Sequence, residues 1–174
     1  MKKLHCILLT TALLSHAVRA DVKLPAIISE HMVLQSGVEV PIWGWAEPNV
    51  SVTVAFSGQT KSAAAGPDGK WRVTLDRLPA NASGMDLIIR AGDQTQTVRD
   101  VLVGEVWICS GQSNMEWTLA GTDGAQEEIA AADHPWIRQF KVPHVTHSKP
   151  QRDLPEPVLK LAIEKFGKCT VSGD

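Results

Sequence analysis

Gly111-Gln112-Ser113-Asn114-Met115 has the composition of a turn that presents a nucleophile. It follows an apolar run, Val101 to Cys109, that reads as a buried strand, and it sits where that strand should turn toward a helix. A small glycine ahead of a serine at such a junction exposes the hydroxyl, and nearby backbone N–H groups can stabilise an oxyanion. The chemistry is attack on a carbonyl carbon. It needs a base, because a serine hydroxyl is a weak nucleophile at its free pKa. The histidines that follow are His134, His144 and His147. Asp133 directly precedes His134, so the two side chains turn different ways and make a poor acid–base pair. His144 and His147 form an H-x-x-H in a proline-rich loop, where a zinc site would lack a third ligand and a rigid support. None of the three is assigned as the base, and no metal site is read from them.

The elements that must hold this turn fall into two kinds. From Val22 to about Asp100 the pattern is that of short strands. Val50, Val52, Val54 and Phe56 alternate with Ser51, Thr53 and Ala55, and Trp71, Val73 and Leu75 repeat the period. Leu87-Ile88-Ile89 and Thr95 to Val98 are further strand candidates. Turn residues separate them at Glu47-Pro48-Asn49, Ser57-Gly58, Gly66-Pro67-Asp68-Gly69 and Asn81-Ala82-Ser83-Gly84. The expectation is an antiparallel β-sandwich over residues 21–100. Trp43-Gly44-Trp45 lies in one of its strands, and core packing is expected of it ahead of sugar stacking.

After residue 100 the character changes. The run Val101 to Cys109 hardly alternates, as in a strand covered on both faces. Ala125 to Ala132 reads as a helix with Asp123 as a candidate cap, and Trp136 to Val142 as a further strand. Strand, helix, strand is the opening of a parallel α/β sheet. Cys109, at the end of the first strand, is expected to be a small core residue. Pro143 to Pro157 reads as loop, and Val158 to Lys168 as an amphipathic helix.

Composition narrows the partners. The chain has 174 residues, 44% hydrophobic and 21% charged, which is globular. A formal net charge of -2 without basic blocks argues against nucleic acid. Residues 1–20 read as a secretory leader, with Lys2 and Lys3, an apolar Ile7 to Leu14, and Val18-Arg19-Ala20 before the cleavage point. The expected location is periplasmic or secreted, with no transmembrane segment left after cleavage.

At Gly104-Glu105-Val106-Trp107-Ile108-Cys109-Ser110-Gly111-Gln112-Ser113-Asn114-Met115-Glu116-Trp117 the chain resembles the sialate O-acetylesterase family, carbohydrate esterases of the SGNH-hydrolase type. Ser29-Glu30-His31-Met32-Val33-Leu34-Gln35 looks like the first strand of that family's leading β-domain. Val40-Pro41-Ile42-Trp43-Gly44-Trp45-Ala46, Asp68-Gly69-Lys70-Trp71 and Phe140-Lys141-Val142-Pro143 are similar to later signatures. The resemblance runs from about residue 22 to about residue 150.

The resemblance implies a β-domain leading into a flavodoxin-like α/β hydrolase domain, here incomplete. Its first β-α-β elements would occupy residues 101–153, followed by an unmatched tail at 154–174. It implies that Ser113 is the catalytic nucleophile and that the Ser113 backbone N–H is one oxyanion-hole donor. The substrate would be an O-acetylated sugar, with neither metal nor organic cofactor. The family's further donors, a Gly and an Asn, and its His base come from later segments that this sequence does not match. The expectation is a fragment or truncated form with no more than trace activity alone. The alternative is a non-catalytic exported β-sandwich module that binds carbohydrate or protein.

Overall fold

The computed structural model describes residues 21–142, 145–151, 153 and 154. The expected leader, His144, and the tail from residue 155 with its helix lie outside the described residues. The strands are β1 (Val33–Gln35), β2 (Val40–Trp45), β3 (Ser51–Phe56), β4 (Gln59–Ala64), β5 (Lys70–Leu75), β6 (Asn81–Ala91) and β7 (Gln94–Gly104). After them come 3-10 turns at Ser113–Glu116 and Leu119–Gly121, and the helix α1 (Ala125–Ala131).

The strands form a five-stranded sheet in the order β1-β7-β6-β3-β4 and a two-stranded sheet of β2 and β5. All pairs are antiparallel except β1 with β7, which run parallel with Val33 opposite Leu102 and Gln35 opposite Gly104. Alternation does what the sequence leads one to expect. Val52, Val54 and Phe56 of β3 and Trp71, Val73 and Leu75 of β5 are buried, while their neighbours face outward. These side chains meet Ile42, Leu87, Ile89, Val98 and Val101 in one apolar core fed by both sheets. The β6–β7 hairpin closes through Gly92-Asp93, where Gly92 takes φ 53°, as the first position of a two-residue type II′ turn demands.

Five expectations are corrected. The run Val101 to Cys109 is not one buried strand. Val101, Leu102 and Val103 are buried between β1 and β6, but β7 ends at Gly104, where that pairing stops. Among the described residues no strand lies beside 105–109, and Cys109 is exposed. Trp136 to Val142 forms no strand for the same reason: a strand needs a partner for its backbone groups, and none lies alongside among the described residues. Helix α1 is present, but it is entered through Gly124 in the left-handed region (φ 73°), with no side-chain cap from Asp123. Finally, Trp43 and Trp45 are two apart in β2 and share its outer face, while Val40, Ile42 and Gly44 face the core.

One irregularity places side chains that matter below. Met85 pairs with Val101 but Leu87 pairs with Val98, so β7 carries an extra residue across this interval. The bulge contains Arg99 and Asp100, and Asp100 has φ 54°. Bulges of this kind bend a strand and redirect a side chain.

Candidate active site

Ser113 begins a 3-10 turn that is exposed along its whole length. The turn is held by Met115 N–H donating to Gln112 O (2.9 Å) and Trp117 N–H donating to Asn114 O (3.3 Å). A Cβ at Gly111 would lie 2.9 Å from Met115 Cγ, so the exposed methionine side chain would have to shift to admit one. As the first residue of the turn, Ser113 has an N–H without an acceptor inside it. Ser113 is itself an exposed residue.

His134 and His147 are exposed, and neither is hydrogen-bonded to Ser113. His147 lines a cleft of about 300 Å³ together with Val142, Val145, Lys149 and Asp153, and no residue of Gly111–Met115 borders it. No group of three or more His, Cys, Asp or Glu suited to a metal ion occurs among the described residues.

The acid–histidine pair that does form lies elsewhere. His31 Nδ1 is 2.6 Å from Asp100 Oδ2. Arg138 approaches the same residue from the segment after α1: Nη1 donates to the Asp100 carbonyl (2.6 Å), and Nη2 lies 2.9 Å from Oδ2. The His31 hydrogen bond and then the Arg138 guanidinium hold the Asp100 carboxyl below the usual carboxylate range, against an opposing push from partial burial. Sequence reasoning missed this cluster. His31 lies inside a motif read as strand, and Arg138 inside an expected strand. In the sequence His31 simply ends the polar stretch Ser29-Glu30-His31 ahead of the apolar Met32-Val33-Leu34, which gives no signal of the pairing.

The comparisons with known proteins bear on the chain as a whole. Sialate O-acetylesterase of Mus musculus is 31% identical over 161 residues, covering 86% of this chain and 30% of that protein. The human sialate O-acetylesterase is 32% identical over 140 residues, covering 73% and 26% respectively. The chain belongs to the sialate O-acetylesterase family. It spans less than a third of the length of the curated relatives it matches. A scan against protein-family models finds no match. Among solved structures, a carbohydrate acetylesterase from Xanthomonas citri shares 37% identity with a TM-score of 0.73, covering 77% of this chain and 31% of that one. Within this sialate O-acetylesterase-family chain, a strand-dominated fold leads into an exposed serine turn. Carboxylic-ester hydrolysis is the activity for which its relatives are named.

Proposed function

We propose that this chain is the nucleophile-bearing portion of a carbohydrate O-acetylesterase, exported to the periplasm or secreted. The observation that carries the reading is Ser113 itself. It opens an exposed turn, where a first-residue N–H has no acceptor within the turn, in a chain of the sialate O-acetylesterase family. Residues 21–100 act as a β-sandwich domain. Residues 101–153 begin an α/β esterase domain, with β7 running through the junction to Gly104. Ser113 Oγ attacks the acetyl carbonyl of a sugar ester while a base takes its proton. The Ser113 N–H donates to the oxyanion, the sugar oxygen leaves as an alcohol, and water releases acetate from the acetyl-serine. No metal or organic cofactor takes part.

The base comes from sequence that this chain does not match. General-base assistance contributes roughly 10²–10⁴-fold, and each lost oxyanion donor costs on the order of 10²–10³-fold more. The chain by itself is therefore expected to hydrolyse 4-nitrophenyl acetate no faster than trace. Substituting it for the matching part of the Xanthomonas citri acetylesterase should restore turnover that Ser113→Ala abolishes. Ordinary turnover by residues 21–174 alone, lost in Ser113→Ala, would refute the missing base. A folded, active hybrid indifferent to Ser113→Ala would refute the nucleophile. The binding-module alternative is not favoured, since the relatives are named as esterases; of its candidate tryptophans Trp71 is buried, while Trp43 and Trp45 lie on the outer face of β2.

A further inference from the structure

We infer that Gln35 and the His31–Asp100–Arg138 cluster form a two-ended clamp that fixes the Ser113-bearing excursion of the chain, residues 105–138, against the β1–β7 edge. One end of that excursion is tied to Gln35 and Ser36, the other to Asp100, the partner of His31. Where the chain leaves β7, Gln35 Oε1 accepts from Val106 N–H (2.8 Å) and Gln35 Nε2 donates to Glu105 Oε2 (3.1 Å). Ser36 Oγ donates to the other oxygen of Glu105 (3.1 Å), and Ser36 N–H donates to Gly104 O (2.8 Å). Where the chain returns, Arg138 donates to Asp100, which His31 holds from the other side. His31 N–H also donates to Arg99 O (3.0 Å), so the pair is joined through both backbone and side chain.

The construction at Asp100 is specific. His31 (φ 64°) and Asp100 (φ 54°) both occupy the left-handed region, which residues with a Cβ rarely adopt. Such conformations persist where the surroundings over-determine them. The β7 bulge supplies the turn at Asp100, and Gly84 of β6 leaves room for its carboxylate, since a Cβ at Gly84 would collide with Asp100 Oδ1. The Arg138 side chain is 11% exposed, whereas Asp100 and His31 are 39% and 41% exposed. The cation of the returning segment is thus the most shielded of the three side chains. The nearby Arg99–Glu30 pair (3.3 Å) lies outside this contact and is exposed.

The clamp makes Gln35, His31, Asp100 and Arg138 positioning residues for Ser113. That purpose rests on Ser113 being the nucleophile, but the clamp itself does not. Hydrogen–deuterium exchange of the 174-residue chain tests it, comparing wild type with Arg138→Ala, Arg138→Lys and Gln35→Ala. Arg138→Ala should speed exchange in peptides from 122–142 by about tenfold or more, while peptides of β3, β5 and β6 keep their wild-type rates. Arg138→Lys should fall between, because lysine keeps the charge but loses the forked donor geometry. Gln35→Ala should speed exchange at 105–112 and leave 130–142 unchanged. Unchanged exchange across 105–142 in all three variants would overturn the clamp. So would an equal acceleration in β3, β5 and β6, which would make these residues ordinary supports of the fold. If Arg138→Ala fails to fold, Arg138→Lys carries the same comparison. Loss of the Ser113 reading would appear separately, as a hybrid esterase indifferent to Ser113→Ala.

Discussion

Asp100 brings together a left-handed backbone, a β-bulge and two partners on different segments. Its carboxyl is held below its ordinary value of 3.8, chiefly by the His31 hydrogen bond and next by Arg138. A carboxylate depressed in the folded state stabilises the fold fully above its unfolded pKa, and that contribution is lost as pH falls through the folded value. The gap in thermal midpoint between wild type and Asp100→Asn should therefore narrow steadily as the solution is taken into strong acid. A gap that stays constant into strong acid would contradict this. Asp68, lowered by its contacts with Lys70, shifts in the same direction at a fully exposed site, so Asp68→Asn should move the midpoint less. Gly84→Ala should damage the same place sterically, at about 1–3 kcal/mol in a urea titration, because its Cβ would displace the Asp100 carboxylate. A neutral result there would mean that the bulge relaxes freely.

The core is shared by the two sheets, with the neighbouring strands β3 and β6 contributing from one and β5 from the other. Leu87 and Ile89 of β6 are fully buried, and both belong to the shared core. Leu87→Ala should cost about 2–5 kcal/mol by urea unfolding, the range for a buried leucine whose cavity only partly collapses. A cost under about 1 kcal/mol would mean that the two sheets do not enclose it. The legible parts of the fold are those whose burial is one-sided. Alternation in Val52-Thr53-Val54-Ala55-Phe56 and Trp71-Arg72-Val73-Thr74-Leu75 maps directly onto β3 and β5. Strand β4 was illegible because Gln59–Ala64 is a polar edge strand, specified by the Ser57-Gly58 turn and its pairing with β3 rather than by apolar periodicity. The lengths of β6 and β7 were masked by Gly84, Asp86 and Asp100, polar or flexible residues that a bulged hairpin accommodates. Of the site, the glycine–serine turn could be read from local sequence. The Asp100 cluster could not, since its members are brought together only by the parallel pairing of β1 with β7 and by the return of Arg138.

Over the whole molecule, the side chains outside the core are unevenly distributed. Before Gly104 the large apolar residues are mostly covered. After it, Trp107 is 84% exposed and Ile108 93% exposed, with Trp117, Trp136 and Ile137 also mostly in water. Apolar surface of this extent on one segment marks a place that another surface covers, or a site of association. The chain aligns with less than a third of its curated relatives, so the remainder of such a protein would have ample length to provide that cover. In solution the isolated chain should self-associate as its concentration rises, measured by sedimentation velocity. The double substitution Trp107→Ser with Ile108→Ser should shift it toward monomer. Because neither side chain contributes to the folded core, the same double variant should leave the urea midpoint within about 0.5 kcal/mol of wild type. A fall well beyond that would mean that the segment is packed against the sheet in solution. Association that persists in the double variant would move the sticky surface to another part of the chain, with the outer face of β2 at Trp43 the next to examine.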